Sequence, residues 1–140
     1  MFSWGDAKDG KLGRKFNTKG WISVEEVGRV ESLDDEFVLM ATCGLSYSIA
    51  LTKKGKIYGW GRYTNIIIKI RASRSLSEAK SPCVVDIILP QELVPILRGN
   101  MLAKFVKVIA GQTHFAALDV LGRLFMWGEN IDNCLGDQMC

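Results

Sequence analysis

The sequence predicts an all-β fold built from repeated antiparallel hairpins. Three observations support this prediction: an internal repeat with a spacing of 67 residues, short apolar runs rich in aromatic side chains, and a glycine in each connection between them. Helix signals are weak, because the run after the capping-box pattern at Ser23–Glu26 is interrupted by Gly28. A two-stranded hairpin is barely stable alone, so we expect several hairpins to stack or share a sheet.

The repeat is clearest in two stretches that align without gaps, Gly44–Gly61 and Gly111–Gly128. Each stretch holds an apolar run, a connection that ends in glycine, and a second run that ends in Trp-Gly. A third, truncated copy stands at the start of the chain, where Phe2–Gly5 matches Tyr58–Gly61. The chain therefore consists of similar structural units placed one after another.

Each unit contains a predicted hairpin. The runs Ser48–Leu51 and Ile57–Trp60 flank the connection Thr52–Gly55, and a four-residue connection ending in glycine favours a type I turn followed by a glycine at positive φ. The second unit repeats this connection at Asp119–Gly122. We expect the same turn in both units.

Further strands are predicted around these hairpins. The β-rich runs Phe37–Met40 and Phe105–Val108 precede the first glycine of each unit. Gly61 and Gly128 directly follow tryptophan, where a glycine allows another backbone to approach a strand end closely. The proline-containing segment around Val84–Leu89 is predicted to be a long connection with a short strand or a helical turn.

Composition indicates an ordinary globular domain. The 140 residues are 48% hydrophobic and 24% charged, which argues against disorder. No apolar run approaches the roughly 18 residues of a membrane span, and the first residues lack the basic and apolar regions of a signal peptide. We expect a soluble protein with no membrane partner, located inside the cell in the cytoplasm or nucleus.

The charges are unevenly placed although the net charge is only +3. Residues 25–36 hold six acids against Arg29, and residues 53–80 hold eight basic residues against Glu78. Such asymmetry indicates either a solvated face or a surface that steers a charged partner.

The sequence carries no catalytic or metal-binding pattern, and it predicts no enzyme, no cofactor and no metal. The four cysteines lack the spacing of a zinc or redox site, and free thiols are expected. His114 is the single histidine, lies beside an apolar strand and is predicted to be structural. The Gly44–Ser46 segment is not a nucleophile elbow, because Ser48 stands where that motif needs glycine.

At these residues the sequence resembles the regulator of chromosome condensation repeat family. The shared features are a glycine followed three residues later by His or an aromatic residue, an Ala-Leu strand, the hairpin glycine, an aromatic-x-Trp-Gly strand and a trailing Leu-Gly. The resemblance implies a seven-bladed β-propeller with four-stranded blades around a channel. It assigns a structural role in the repeat to Trp4, Gly5, Gly44, Gly55, Trp60, Gly61, Gly111, His114, Gly122, Trp127 and Gly128.

The predicted domain organisation is a partial arc of such a propeller. Residues 1–13 hold the last strand of a preceding repeat, 14–61 form one repeat, 62–128 form a repeat with an 11-residue excess, and 129–140 start the next. Open strand edges at both ends of an arc favour pairing with further strands. We therefore expect a piece of a longer protein, or a chain that completes its sheets with another chain.

The resulting functional prediction is a non-catalytic protein-interaction module. The best candidate surface is the basic segment with interleaved aromatic and aliphatic residues: Arg62, Tyr63, Lys69, Arg71 and Arg74. Two alternatives stay open: a guanine-nucleotide exchange factor for a Ran-type small GTPase, which the resemblance implies, and a propeller that binds chromatin or nucleic acid. The repeated tryptophans are expected to pack between blades, although an aromatic stripe also suits ligand binding or ultraviolet absorption.

Overall fold

A computed structural model describes residues 1–14, 27–63, 85–93, 104–128 and 134–136, with only the backbone described for 63 and 85–93. The described part is all-β, as predicted, and its helices are two single 3₁₀ turns, at Lys8–Gly10 and Glu31–Leu33. The capping-box pattern at Ser23–Glu26 lies outside the described residues. The strands are β1 Phe2–Ser3, β2 Gly28–Arg29, β3 Val38–Cys43, β4 Tyr47–Thr52, β5 Ile57–Tyr63, β6 Val85–Leu93, β7 Phe105–Ala110, β8 His114–Asp119 and β9 Leu124–Gly128.

The strands form three antiparallel sheets in which neighbours in the chain are neighbours in the sheet. Their orders are β1-β2, β3-β4-β5-β6 and β7-β8-β9. Both larger sheets show a register shift near the start of their first pair, at Val38/Met40 and at Phe105/Lys107, so the repeat extends to backbone irregularities. Each of the two larger sheets has the up-and-down strand order expected of one blade.

The predicted hairpin turns are confirmed. In the β4–β5 turn the amide of Gly55 donates to the carbonyl of Thr52 at 2.9 Å, and Gly55 has φ +79°. In the β8–β9 turn the amide of Gly122 donates to the carbonyl of Asp119 at 3.1 Å, and Gly122 has φ +76°. Residues other than glycine adopt this left-handed conformation only with strain, so the two glycines fix the turns.

The proline-containing middle segment forms a strand, and this strand is longer than predicted because it continues through Pro90. In the pairing of β5 with β6, Gly59 lies opposite Gln91 and Gly61 lies opposite Ile87, with a register shift between them. Pro90 therefore lies in a bulge of the outermost strand of its sheet. Proline lacks an amide hydrogen, and an edge strand or bulge is where a sheet tolerates that loss.

Two apolar clusters hold the sheets together. One lies between the four-stranded and three-stranded sheets and contains Tyr47, Ile49, Leu51, Ile57, Phe105, Val108, Phe115 and Ala117. The other lies between the four-stranded sheet and the N-terminal segment and contains Val30, Leu33, Ala50 and Trp60. The exclusion of these side chains from water is the main stabilisation of the arc. In the part of the chain that the structure describes, no helix has the length and apolar character needed to cross a bilayer.

Candidate functional site

Tyr47 joins the two larger sheets. Its side chain leaves β4 and enters the apolar cluster between the sheets, where its hydroxyl reaches the carbonyl oxygens of Gly111 at 2.9 Å and His114 at 2.5 Å. The hydroxyl has one hydrogen, which the two oxygens share. Burial, with a smaller effect of the Cys43 thiol, raises the pKa of Tyr47 to about 12. Tyr47 therefore stays protonated and donating at neutral pH.

Main-chain groups add three further hydrogen bonds between these sheets. The amide of Leu45 donates to the carbonyl of Gln112 at 3.0 Å. The amide of Ala110 donates to the hydroxyl of Thr42 at 3.2 Å. At the opposite end, the amide of Phe105 donates to the carbonyl of Gly55 at 3.0 Å. The sheets are thus attached at both ends and through the core.

The tryptophans of the repeat have different environments. Trp60 is 2% exposed, and its indole nitrogen donates to the carbonyl of Lys11 at 2.7 Å. Trp127 is half-buried against the core, with its ring stacked on that of Phe115 at a centroid distance of 4.9 Å. Trp4 is 65% exposed, which differs from the packing predicted for it. Trp4 directly follows β1, and among the described residues β1 pairs with β2 alone.

The glycines after tryptophan meet the neighbouring hairpin arm. Gly61 has φ +100°, and a Cβ there would stand 2.5 Å from the carbonyl oxygen of Ser46. A Cβ at Gly128, with φ +137°, would overlap the backbone of His114. The close approach predicted for both positions is confirmed. Gly5, at the equivalent position in the first unit, has φ +103° but nothing within 4 Å.

Two other glycines of the repeat leave room for an aromatic ring. A Cβ on Gly44 would overlap the ring of Tyr47, and a Cβ on Gly111 would stand 2.8 Å from Nε2 of His114. The imidazole Nδ1 of His114 lies 3.8 Å from the sulfur of Cys134. Cys43 and Cys134 form no disulfide in the part of the chain that the structure describes, and the same residues contain no group of three or more potential metal ligands.

The structure describes only the beginning of the basic segment. Arg62, near the end of β5, has a side chain that is 47% exposed and a guanidinium nitrogen 3.9 Å from the carboxylate of Asp9. The backbone of Tyr63 continues β5. The side chain of Tyr63 and the whole of Lys69, Arg71 and Arg74 lie outside the described residues. Their grouping into one surface stays a prediction.

A pocket that no sequence pattern predicted lies between the N-terminal segment and the ends of β3 and β4. Its volume is about 390 Å³. At its border Phe2 is 61% exposed and Leu45 is 66% exposed, so large apolar side chains face solvent. Such an exposed apolar patch marks an interaction site more often than isolated exposed residues do. Its lining includes Phe2, Trp4, Leu12, Cys43, Leu45 and Trp60.

The chain is similar to several known proteins, although no protein-family model matches it. It is 32% identical over 134 residues to the E3 ubiquitin-protein ligase HERC2 of Mus musculus, covering 96% of the chain and 2% of that protein. It is 28% identical over 145 residues to the human RCC1-like G exchanging factor-like protein, covering 97% of the chain and 27% of that protein. The structure matches that of Prp20p from Saccharomyces cerevisiae, described with its binding to Gsp1p and histones, with a TM-score of 0.70 and 22% identity over 99% of the chain and 30% of Prp20p.

The fold is an arc of β-propeller blades. Its antiparallel meanders pack face to face around an aromatic core, and the structure matches that of Prp20p. The predicted resemblance is confirmed: the chain is a stretch of repeats of the regulator of chromosome condensation type. It spans less than a third of each of these three proteins. The repeat boundaries after residues 13, 61 and 128 stay predictions.

Proposed function

We propose that the chain is a non-catalytic protein-interaction module that binds an acidic protein partner through its basic segment, Arg62–Arg74. The observation that supports the proposal is the position of Arg62. Its half-exposed guanidinium lies near the end of β5, one residue before the last residue of that strand. Propeller blades are rigid, and the segments that connect their strands commonly carry recognition.

Charge distribution supports an acidic partner. Beyond Arg62, the segment carries Lys69, Arg71 and Arg74 with no acid before Glu78. A group of like charges attracts a partner of opposite sign and raises the association rate, an effect that salt weakens. The ligase activity in the name of HERC2 is not proposed for this chain, because the chain spans only 2% of that protein.

The experiment compares two charge reversals of equal size. Arg71→Glu with Arg74→Glu changes the basic segment, and Lys53→Glu with Lys54→Glu changes the β4–β5 turn. The probe is a fluorescent 20-residue poly-glutamate peptide, measured by anisotropy at low and physiological salt. We expect about a tenfold loss of affinity for the first pair and a small change for the second. Equal losses would refute a localised site.

A second candidate function is stimulation of nucleotide exchange on a small GTPase. It is favoured by the 28% identity to the RCC1-like G exchanging factor-like protein. The test is release of fluorescent GDP from Gsp1p, which Prp20p is described as binding. Acceleration by the 140-residue chain would support exchange, and an unchanged rate would oppose it. A binding constant for duplex DNA that falls steeply with salt would instead favour the nucleic-acid alternative.

The proposal places the protein inside the cell, in the cytoplasm or the nucleus. Partners of the basic segment would have to be present in the same compartment. Fluorescence microscopy of the tagged chain tests this placement, and accumulation in the culture medium would contradict it.

A further inference from the structure

We propose that Asp9 is a built-in competitor of the acidic partner: its carboxylate neutralises Arg62 in the free chain, and carboxylates of the partner displace it on binding. The inference rests on the proposed function, because Arg62 is the member of the basic segment whose side chain the structure places. It starts from the ion pair between Asp9 and Arg62, which joins the N-terminal segment to β5.

The backbone fixes the place of the Asp9 carboxylate. Asp9 lies in the 3₁₀ turn Lys8–Gly10 with φ +62° and ψ +17°, and among the described residues other than glycine it alone has a positive φ. Aspartate and asparagine are enriched in this left-handed conformation. The amide of Gly10 donates to the carbonyl of Ala7 at 3.3 Å, and the amide of Gly13 donates to the carbonyl of Gly10 at 3.0 Å. The turn therefore presents its carboxylate from a defined position.

The backbone of Arg62 is fixed as well. Its amide donates to the carbonyl of Ser46 at 2.7 Å, and the hydroxyl of Ser46 donates to the carbonyl of Arg62 at 3.4 Å. On the other side, Arg62 lies opposite Asp86 in the register of β5 and β6. The 3₁₀ turn Lys8–Gly10 contacts both of these strands. Arg62 is therefore held between β4 and β6, beside the turn that carries Asp9.

The geometry of the ion pair allows Arg62 to exchange Asp9 for another carboxylate. The guanidinium nitrogen lies 3.9 Å from the carboxylate oxygen, which is too far for a hydrogen bond. The side chain of Arg62 is 47% exposed and that of Asp9 is 17% exposed, so solvent reaches the pair from the arginine side. Ion pairs open to solvent are weak, whereas a guanidinium can bind a carboxylate through two parallel hydrogen bonds. A partner that forms such a pair replaces Asp9.

The negative charge of Asp9 also reduces the attraction of the basic segment for an acidic chain. It offsets the charge of Arg62 at the start of that segment, and attraction of a charged partner depends on the summed local charge. Asp6 lies in the same part of the chain, but it pairs with Lys11 at 2.8 Å and its side chain is 62% exposed. The two aspartates therefore differ in the cation that each neutralises.

The experiment compares Asp9→Asn with Asp6→Asn, which change the net charge equally. Asparagine has the shape of aspartate and also tolerates positive φ, so Asp9→Asn should keep the urea midpoint of the wild type. The probe is the fluorescent 20-residue poly-glutamate peptide, measured by anisotropy. We expect Asp9→Asn to bind about threefold more tightly at low salt and Asp6→Asn to change affinity by less than about 1.5-fold. Equal affinities of the two variants would overturn the proposal.

A double-mutant cycle tests whether Asp9 acts through Arg62. In the Arg62→Gln background, Asp9→Asn should change the affinity for the peptide no more than Asp6→Asn does. A gain from Asp9→Asn that is equal in both backgrounds would overturn the proposal, because Asp9 would then act on the whole chain and not on Arg62.

A second measurement needs no acidic partner. Phenylglyoxal modifies arginine side chains, and a carboxylate beside the guanidinium hinders the reaction. Peptide mapping by mass spectrometry should show Arg62 modified about threefold faster in Asp9→Asn than in the wild type or Asp6→Asn. The rate at Arg123, which pairs with Asp119, should stay unchanged. An unchanged rate at Arg62 would overturn the proposal even if the peptide did not bind.

Failure of the proposed function would look different. The peptide would then bind the wild type and the Arg71→Glu, Arg74→Glu variant equally, whereas Asp9→Asn would still accelerate the modification of Arg62. Failure of the present inference alone would leave the loss of affinity in the charge-reversal variant and remove the difference between Asp9→Asn and Asp6→Asn.

Discussion

The hydroxyl of Tyr47 donates to the main-chain carbonyl of His114, the residue that stands at the same place in the following repeat. Equivalent residues of successive units are therefore in direct contact. The side chain of one unit donates a hydrogen bond to a main-chain carbonyl of the next. This bond lies in an apolar cluster, where an unpaired polar group would destabilise the fold. The contact makes the stability of each sheet depend on its neighbour.

Tyr47→Phe should reduce the free energy of unfolding by about 1 kcal/mol, the usual net contribution of one hydrogen bond. The aromatic ring remains, so packing against Phe115 should change little. Urea unfolding of both proteins measures the difference. A stability equal to that of the wild type would show that the shared hydrogen adds nothing to the interface.

Stability should fall in alkaline solution through the same residue. The pKa of Tyr47 is raised by burial to about 12 in the folded chain, above the ordinary value of 10.0. The folded state then holds its proton more tightly than the unfolded state, so this stabilisation is complete below pH 10 and is lost as pH rises to about 12. Unfolding curves of the wild type and Tyr47→Phe should converge over that range. A constant difference would contradict the raised pKa.

Gly61→Ala should destabilise the chain by more than about 2 kcal/mol, because strain at positive φ adds to a clash with the β4 backbone. Gly5→Ala is the matched control, since Gly5 has nearly the same φ and nothing within 4 Å. It should cost only the strain, about 1–2 kcal/mol. Thermal and urea unfolding measure both. Equal losses would mean that the close approach at Gly61 is unimportant.

Trp60→Ala and Trp4→Ala should reduce the stability of the chain to very different extents, although each removes the tryptophan of a repeat. Trp60 is buried and hydrogen-bonded to Lys11, so its truncation should cost about 3–5 kcal/mol. Trp4 is mostly exposed, so its truncation should change stability by less than about 0.5 kcal/mol. Urea midpoints compare the two. A large loss at Trp4 would show that further contacts cover it.

The buried carboxylate of Asp119 should stabilise the β8–β9 turn at neutral pH and lose this effect in acid. Burial raises its pKa, but hydrogen bonds from the amides of Arg123 and Leu121 and from the Arg123 guanidinium lower it below the ordinary 3.8. The stabilisation is therefore complete above about pH 3.8 and disappears as pH falls through the lowered pKa.

Asp119→Ala should lower the melting temperature at pH 7, and the difference from wild type should shrink in acid. Asp119→Thr is the conservative control, because Thr52 at the equivalent position accepts a hydrogen bond from the amide of Lys56 at 3.3 Å. The threonine variant should lose less stability than the alanine variant. Identical losses would show that the acceptor in the turn is unimportant.

The hairpins and their turns were predictable because their causes are local. Gly55 and Gly122 take positive φ within a few residues of the strands that they connect. The path of the chain through Pro90 was not predictable, because a proline normally ends a strand. Only the bulge at the outer edge of the sheet, formed with β5, accommodates it.

The two candidate sites also differ in how far the sequence predicts them. The basic segment was visible in the sequence because charge is counted along the chain, and Arg62 is the member whose side chain the structure places. The pocket was not visible, because Phe2, Cys43 and Leu45 share no pattern along the chain. They meet only when the N-terminal segment packs on the four-stranded sheet.

By itself the sequence determined the repeat, the hairpin turns and the glycines that need positive φ, because these depend on backbone preferences within a few residues. The tertiary structure decided which equivalent residues have equivalent surroundings. Trp4 and Trp60 have the same local sequence pattern, yet the first is exposed and the second is buried. Burial depends on the sheet that packs against a strand, and that sheet comes from distant parts of the chain.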